Sequence, residues 1–425
     1  MQKNYSLKGI LVWLICVSFF FYEFFSRTLL GTFQEPIMRE LQLNPAQFAL
    51  LSSTAYLLVY GLMQLPIGAI VSRFGLKLTL FGACVTCVVA CFGFAYATNY
   101  ATAIAFRLLM GLGSSFGFVC LLIAVYNWIP YKNVALFIGF SQFLGTMGPM
   151  IAAGPINALS KTAMLSWQQV FIYLGVIGTI LSFLMVCILS ENTQQTGSFI
   201  ILNLKTDLKK RYHGLKQKQV WWLAFSLALI YFNLEYLSEN HGKALLVCKG
   251  FSDAYAAYMI TIGWLGFAIG SPICGYLSDK MSRRKPMLLF SSSVTCLSIA
   301  AIIYLPLNAF GMAVSFFGLG LGTGASSIGI VTIGEQFKLN DVSTGLSFNN
   351  AFIMLFVSSF APFVEFILAK IAPSMSFHLR DFQEGFSLLV ILPFISFFII
   401  YFTVAETFGK STKENLILNF EYGKK

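Results

Sequence analysis

Long apolar runs, separated by short polar connections, fill almost the whole chain. A helix needs about 20 apolar residues to cross the hydrocarbon core of a bilayer. Runs of this length recur near positions 9–30, 47–71, 77–97, 101–127, 134–158, 167–189, 220–242, 254–278, 286–306, 309–334, 344–370 and 384–405. This pattern predicts an all-α membrane protein with twelve transmembrane helices in two bundles of six.

The one long polar connection divides the chain into two halves. We expect an N-terminal six-helix bundle over 1–190, a cytoplasmic linker over 191–219, a C-terminal six-helix bundle over 220–407 and a cytoplasmic tail over 408–425. Within the linker, apolar residues recur at helical spacing opposite a basic cluster. This pattern fits a short helix on an anionic membrane surface, or equally a solvated linker.

Composition and charge support a membrane protein. The chain is 57% hydrophobic and only 11% charged, whereas soluble domains are about 25% charged. The net charge of +11 comes mainly from Lys and Arg in connections on one side of the spans, so it reports orientation rather than a nucleic-acid partner. We expect both termini in the cytoplasm and the spans in the cell's inner (plasma) membrane.

The cysteines do not suggest a disulfide framework or a metal site. Most of the nine lie inside apolar runs. Cys84, Cys87 and Cys91 share a helical face, but free cysteine usually packs as a small hydrophobe. We therefore expect no metal and no cofactor.

The two halves repeat each other in order. The segment from Gly68 to Lys77 after the second span resembles the segment from Gly275 to Arg284 after the eighth. Glycine pairs recur in spans four and ten, and Glu23 in span one corresponds to Glu235 in span seven. Because both halves begin on the same side, this is a parallel repeat about an axis along the membrane normal.

These residues resemble the major facilitator superfamily, whose loop motif after span two reads roughly G-x-x-x-D-R-x-G-R-[KR]. In the first copy Ser72 stands where the acidic residue is usual, while the second copy keeps Asp279. The resemblance implies two pseudo-symmetric bundles that work by alternating access, with a gate on the cytoplasmic side. The gate residues it suggests are Gly68, Arg73, Gly75, Lys77, Gly275, Asp279, Arg283 and Arg284.

A finer resemblance concerns Tyr22, Glu23 and Arg27 in span one and Glu406–Gly409 after span twelve. These short motifs are similar to the bacterial phagosomal nutrient transporter branch, whose members import amino acids or nucleosides. The glycine-proline motif of antiporters in span five is only partial, around Pro149 and Pro155. The resemblance therefore favours import.

The gate has a physical rationale in the second half. Asp279 can pair with Arg283 or Arg284 and hold helix ends together, whereas Ser72 offers only a weak hydrogen bond, so the first copy should be looser. Alternatively, the basic residues of both loops only set the topology.

Charges inside the spans are the strongest candidates for function, because a charge in a bilayer usually faces a partner or a cavity. Glu23 and Arg27, four residues apart, can neutralise each other; alternatively Glu23 exchanges a proton or meets a substrate amine, and Arg27 meets a carboxylate. Glu235 and Glu239 share the spacing without a basic partner, so they could hold a proton. Lys243 could pair with Glu239, and His241 is expected at the outer mouth.

Uncharged polar groups in the spans complete the candidate site. Each needs a hydrogen-bond partner away from water, which either another helix or a central cavity can supply. Arg107 could bind a substrate anion or anchor helix packing. The full set of candidates for substrate binding or proton coupling is Tyr22, Glu23, Arg27, Tyr56, Tyr60, Arg107, Gln142, Asn233, Glu235, Glu239, Asn349 and Asn350.

The function predicted from these features is proton-coupled import of a small polar organic nutrient, an amino acid or similar metabolite, by a monomer in the lipid bilayer. A proton-driven antiporter that exports a drug or a siderophore is the nearest alternative. A nutrient-sensing receptor on a transporter scaffold is an alternative of another class. No motif of an enzyme is apparent.

Overall fold

The structure of the chain is a computed structural model that describes residues 7–130, 134–189, 215–337, 342–372 and 377–408, without the side chains of Ser72, Val134, Ala135 and Ser343. Most of the predicted linker helix and the tail beyond residue 408 fall outside the described residues. The same holds for the weak gate predicted at the Ser72 side chain.

Helices make up nearly all of the described chain. Those of the first half are α1 (Leu7–Thr32), α2 (Gln34–Glu40), α3 (Pro45–Ala49), α4 (Ala55–Met63), α5 (Ile67–Ala95), α6 (Tyr100–Ser114), α7 (Gly117–Trp128), α8 (Val134–Thr162) and α9 (Trp167–Ile188). Those of the second half are α10 (Lys218–Glu239), α11 (Gly242–Cys248), α12 (Asp253–Met281), α13 (Lys285–Tyr304), α14 (Ala309–Ala325), α15 (Ser327–Glu335), α16 (Val342–Ile371), α17 (Leu379–Gly385) and α18 (Ser387–Thr403).

The predicted number of membrane helices is confirmed. Among the described residues, 12 helical stretches are long and apolar enough to cross a membrane. Most of their ends lie within about five residues of the apolar runs, but the second span, predicted to reach residue 71, ends at Met63. Asparagine or serine begins several of them. Asn99 and Asn308, for example, each accept a backbone N–H bond at the start of α6 and α14, which stabilises the helix N-terminus.

Several spans are broken in ways that hydropathy did not predict. The fourth span divides into α6 and α7 beside Ser115, and the tenth divides into α14 and α15 at Ser326. In both breaks the serine hydroxyl donates to the carbonyl three residues earlier, at 2.7 Å and 2.6 Å. Such a bond competes with the regular helix ladder. The two breaks occupy equivalent places in the halves.

The two halves meet at one end of the bundle. We call the face where α1 begins and α18 ends the near face, and the face where α1 ends the far face. Close to the far face α1 crosses α10 so tightly that a Cβ on Gly31 would lie 2.0 Å from the Ser238 carbonyl oxygen. There α8 also crosses α12, where Asn157 donates to Asp253 at 3.1 Å. Direct packing between the halves therefore closes the far face.

Candidate transport site

A buried ion-pair cluster joins the two halves. Arg27 on α1 lies 3.0 Å from Glu235 through Nε and 3.1 Å through Nη2, and 3.8 Å from Glu239; both glutamates are on α10. Its Nη2 also donates to the Tyr231 hydroxyl at 3.1 Å, and the Phe24 ring lies 4.0 Å from its Cζ. Both glutamates are fully buried. One guanidinium thus serves two carboxylates of the opposite half.

This arrangement corrects two pairings that the sequence offered. Arg27 pairs with Glu235 and Glu239 rather than with Glu23, so the acidic pair does have a basic partner. Lys243 does not pair with Glu239; it lies 3.1 Å from Asp253 and donates to the Thr32 carbonyl. The reason is the helix crossing, which brings Arg27 closer to the other half than to its neighbour one turn away.

Glu23 lies in a separate environment inside the first half. The Tyr56 hydroxyl donates to Glu23 Oε2 at 3.0 Å, and a Cβ on Gly117 would lie 3.0 Å from Glu23 Cγ. Glycine at the start of α7 therefore leaves room for this carboxylate. The tyrosine, the glycine and the glutamate come from three different spans.

Arg107 is held by backbone carbonyls. Its guanidinium donates to the carbonyl oxygens of Ser26, Arg27, Leu51 and Ser52 at 2.7–3.3 Å, and it lies 4.7 Å from the Tyr56 ring. With its donors used in this way, Arg107 ties α6 to α1 and to the second span. This placement supports the packing alternative rather than binding of a substrate anion.

A π-helical turn at Leu50–Thr54 brings two serines to the end of α10. Ser53 donates to Glu239 Oε2 at 3.1 Å, and Ser52 donates to the Asn240 side chain at 3.0 Å. π-Turns widen a helix by one residue and are frequent at functional sites. Here the turn adds a second polar connection between the halves, next to Arg27.

The remaining candidates are dispersed. Tyr22 bonds to Cys91 within the first half at 3.4 Å, and Asn233 donates to the Leu229 carbonyl of its own helix at 3.0 Å. Tyr60 lies next to Asn350 across the interface. Asn349 is buried and its Oδ1 has no hydrogen-bond partner among the described residues. Gln142 is half-buried on α8.

The first copy of the loop motif contains a backbone turn that only glycine adopts readily. Gly75 has φ +79°, ψ 165°, which interrupts α5 between two spans. Lys77 donates to the Val186 carbonyl at the end of α9 at 2.7 Å. Arg73 is exposed, and Gly68 is half-buried.

The second copy builds an ion-pair cluster at the near face. Arg284, rather than the exposed Arg283, contacts Asp279 at 2.5 Å and Glu335 at 2.9 Å. Glu406 accepts the backbone N–H groups of Arg284 and Lys285. Although burial opposes its charge, hydrogen bonds to Asp279 and Glu335 hold the pKa of Arg284 above its ordinary value.

Among the described residues, the charged groups that contact Arg284 belong to the second half. Asp279, Arg284, Glu335 and Glu406 lie on or beside α12, α13, α15 and α18. The cluster therefore ties the near ends of one bundle together. Gly275, which precedes it on α12, faces open space.

Several polar residues at the interface between the halves were not predicted from the sequence. Tyr231, Ser53 and Gln34 gave no signal, because uncharged polar residues are common in spans. Glu365 did give one, since it is a carboxylate inside an apolar run, the same signal that pointed to Glu235. His241, expected at the outer mouth, is buried with Glu365 3.2 Å away.

Sequence comparisons place the chain among known transporters. A sequence profile of the Major Facilitator Superfamily matches residues 15–237 and 220–416. The hexuronate transporter of Bacillus subtilis (strain 168) is 27% identical over 277 residues, which cover 63% of this chain and 65% of that protein. The glycerol-3-phosphate transporter of the same strain is 25% identical over 169 residues, 35% of this chain and 37% of that protein. The chain thus aligns with less than two thirds of either relative.

A more distant relative aligns over a longer stretch. The probable nitrate/nitrite transporter NarK2 of Mycobacterium tuberculosis (strain ATCC 25618 / H37Rv) is 21% identical over 328 residues, 73% of this chain and 80% of that protein.

Solved structures share the fold. A bacterial homologue of the human lysosomal transporter Spinster, in an inward-facing and unoccupied conformation, has a TM-score of 0.73 at 16% identity, covering 94% of this chain and 97% of that chain. A mutant of the nucleoside transporter NupG has a TM-score of 0.74 at 12% identity, covering 92% of this chain and 99% of that chain. At these identities the likeness concerns the fold alone.

Proposed function

The chain belongs to the Major Facilitator Superfamily, and from this premise we propose that it imports a small organic acid or zwitterion together with protons by alternating access. The supporting observation is the pairing of Arg27 with Glu235 and Glu239. This cluster is buried and is made between the two halves. Any rocking motion that opens the far face must separate its members.

The cluster has one more negative than positive charge when both glutamates are ionised. Glutamates buried away from water resist carrying an uncompensated charge, so one of them readily takes a proton. A substrate carboxylate can occupy the place of Glu235 on the Arg27 fork, since guanidinium binds carboxylates through two parallel bonds. The displaced glutamate then takes a proton. One anionic group and one proton enter together, and the net charge of the site is unchanged.

The names of the relatives agree with an acidic substrate. Hexuronate, glycerol-3-phosphate and nitrate, named for the three related proteins, are all anions. An amino acid, the substrate class suggested by the sequence, also has a carboxylate for Arg27. Its amine would then need an acceptor, and we assign that role to Glu23.

Orientation and assembly belong to the same proposal. From the positive-inside rule we infer that the near face lies on the cytoplasmic side of a bacterial inner membrane. The cluster at Arg27 is formed within one chain, so a monomer is sufficient for transport.

Uptake into proteoliposomes tests the proposal. We would measure uptake of externally added labelled glucuronate, glycerol-3-phosphate, nitrate and amino acids. Each would be tested with and without an inward proton gradient. Glu235→Gln should abolish gradient-driven uptake but retain counterflow, because the neutral side chain no longer exchanges a proton. Glu384→Gln, which alters an exposed glutamate that pairs with the exposed Arg380, is the matched control.

Other outcomes would contradict the proposal in distinct ways. Flux driven in the opposite direction would indicate an exporter, and ligand binding without flux would indicate a receptor. If Glu235→Gln lost uptake and counterflow equally, Glu235 would serve substrate binding rather than proton coupling.

A further inference from the structure

A second buried group of titratable side chains lies toward the far face, away from Arg27. His241, in the turn between α10 and α11, is the centre of this group. Its Nδ1 lies 3.1 Å from Gln34 Nε2, and its Nε2 lies 3.2 Å from Glu365 Oε2. The Tyr236 hydroxyl donates to Glu365 Oε1 at 2.5 Å. The result is a continuous chain of close contacts from Gln34 to Tyr236, in which Glu365 Oε2 itself accepts no hydrogen bond from the described residues.

This chain crosses the interface between the halves. Gln34 belongs to α2 of the first half, whereas His241, Glu365 and Tyr236 belong to the second. An amide offers both a donor and an acceptor, so Gln34 can bond to a neutral or a protonated imidazole. The bond between Gln34 and His241 exists only while the halves are in contact at the far face.

The pair of His241 and Glu365 is shielded from water. His241 is 4% exposed and Glu365 is 0% exposed. The rings of Phe377 and Phe382 lie 5.2 Å and 6.0 Å from the imidazole and cover it. These aromatic groups supply no compensating charge.

Other charged groups nearby already have partners. Lys243 on α11 pairs with Asp253. Asp381 on α17 accepts the backbone N–H of His378 at 2.8 Å, and Glu239 on α10 accepts a bond from Ser53. Cys248 on α11 donates to the Phe377 carbonyl. The charge of the pair therefore depends mainly on the protonation of His241 and Glu365 themselves.

We propose that His241 and Glu365 form a proton-binding site, separate from the Arg27 cluster, that controls closure of the far face. With one proton on the imidazole ring the buried pair has a net negative charge; with a second proton it is neutral. Burial disfavours net charge. Gln34 of the first half reaches the imidazole only when the far face is closed, so closure adds to the burial of the pair and takes up a proton. By linkage a bound proton favours the closed state.

The sign of the pH dependence follows directly. Lowering the pH increases the population in which the far face is closed, and raising the pH increases the open population. For uptake of a single proton, the ratio of closed to open molecules changes by at most about tenfold per pH unit. In a proton-coupled importer this site would close the external face after a proton arrives from outside.

Distance measurements between spin labels can test this. Thr162 at the end of α8 and Ala254 at the start of α12 are exposed, on opposite halves and at the far face. Labels on Thr162→Cys and Ala254→Cys, in the otherwise cysteine-free full chain in nanodiscs without substrate, report far-face opening from pH 5 to 8. We expect the closed fraction to rise on acidification, and Glu365→Gln to remove this dependence. Glu384→Gln should retain it.

The same measurement in a background of Glu235→Gln with Glu239→Gln removes the contribution of the Arg27 cluster. A pH response that persists there and disappears on adding Glu365→Gln supports the proposal. A response that survives Glu365→Gln but is lost in the Glu235 and Glu239 background would overturn it. Because no flux is measured, this outcome is independent of whether the transport proposal holds.

Gln34→Ala provides a second variant that leaves the buried pair intact. It removes the bond between the halves, so the closed fraction should fall at every pH while the pH response remains. An unchanged closed fraction in Gln34→Ala would show that this bond does not contribute to closure. If Glu365→Gln does not fold, His241→Gln replaces it, with the same expected loss of the slope.

Discussion

Arg27 and Arg284 are both buried, and each contacts two carboxylates, yet they are placed differently in the molecule. The partners of Arg27 lie on α10, across the interface between the halves. The partners of Arg284 lie on α12 and α15 of its own half. Similar chemistry therefore joins two bundles in one place and stabilises a single bundle in the other.

The role of an ion pair depends on whether its partners lie in one half of the protein or in both. A pair inside one rigid body persists through a rocking motion and contributes to stability. A pair between two bodies must break and reform, so anything that competes for its charges, such as an anion or a proton, shifts the equilibrium between states. The Arg27 cluster has this property, whereas the Arg284 cluster holds α12, α13, α15 and the segment after α18 together.

The largest expected effect comes from Arg27→Lys. Lysine keeps the charge but cannot form the two-pronged contact with Glu235, and hydrogen bonds to charged groups contribute about 1.5–3 kcal/mol. We expect proteoliposome uptake to fall by roughly 10- to 100-fold while the protein still purifies as folded material. Arg380→Lys, at an exposed pair, is the control. Unchanged uptake would show that the cluster is not a switch.

A smaller effect is expected when the contact between the halves is blocked without altering any charge. Gly31→Ala places a Cβ 2.0 Å from the Ser238 carbonyl oxygen, and overpacking typically costs about 1–3 kcal/mol. The far face should close less often, and transport should fall by roughly tenfold. Gly82→Ala, at a glycine with open space around it, should have no such effect.

Spin-label distances at the far face would measure this shift directly. If Gly31→Ala left both the distances and the transport rate unchanged, the close approach of α1 and α10 would not govern closure.

The smallest effect on transport is expected from Arg284→Gln. This change removes the two bonds that Arg284 donates to Glu335 and should lower the free energy of unfolding by about 1–3 kcal/mol, measured as a fall in the thermal midpoint. Because Asp279 is 71% exposed, its contact with Arg284 contributes little. Transport by the folded protein should stay within a few-fold of wild type. A stable variant without transport would instead assign this cluster to the gate.

Much of the site could be predicted from residues that break an apolar pattern. Glu23, Arg27, Glu235 and Glu239 all stood out as charges within spans. Their partners did not follow from spacing: Glu23 and Arg27 have the separation of a helical ion pair, but the structure bonds Glu23 to Tyr56. Spacing along one helix specifies which groups can meet, while a crossing helix determines which groups do.

The sequence alone determined the number of spans, most of their ends and the repeat, because bilayer thickness acts on each apolar run separately. The caps that Asn99 and Asn308 form in the structure are equally local contacts. It took the tertiary structure to place Arg27 against the other half and to bring Gln34, His241 and Glu365 into one chain of close contacts. Those contacts join residues far apart in sequence, and they depend on how closely glycines such as Gly31 let the two bundles approach.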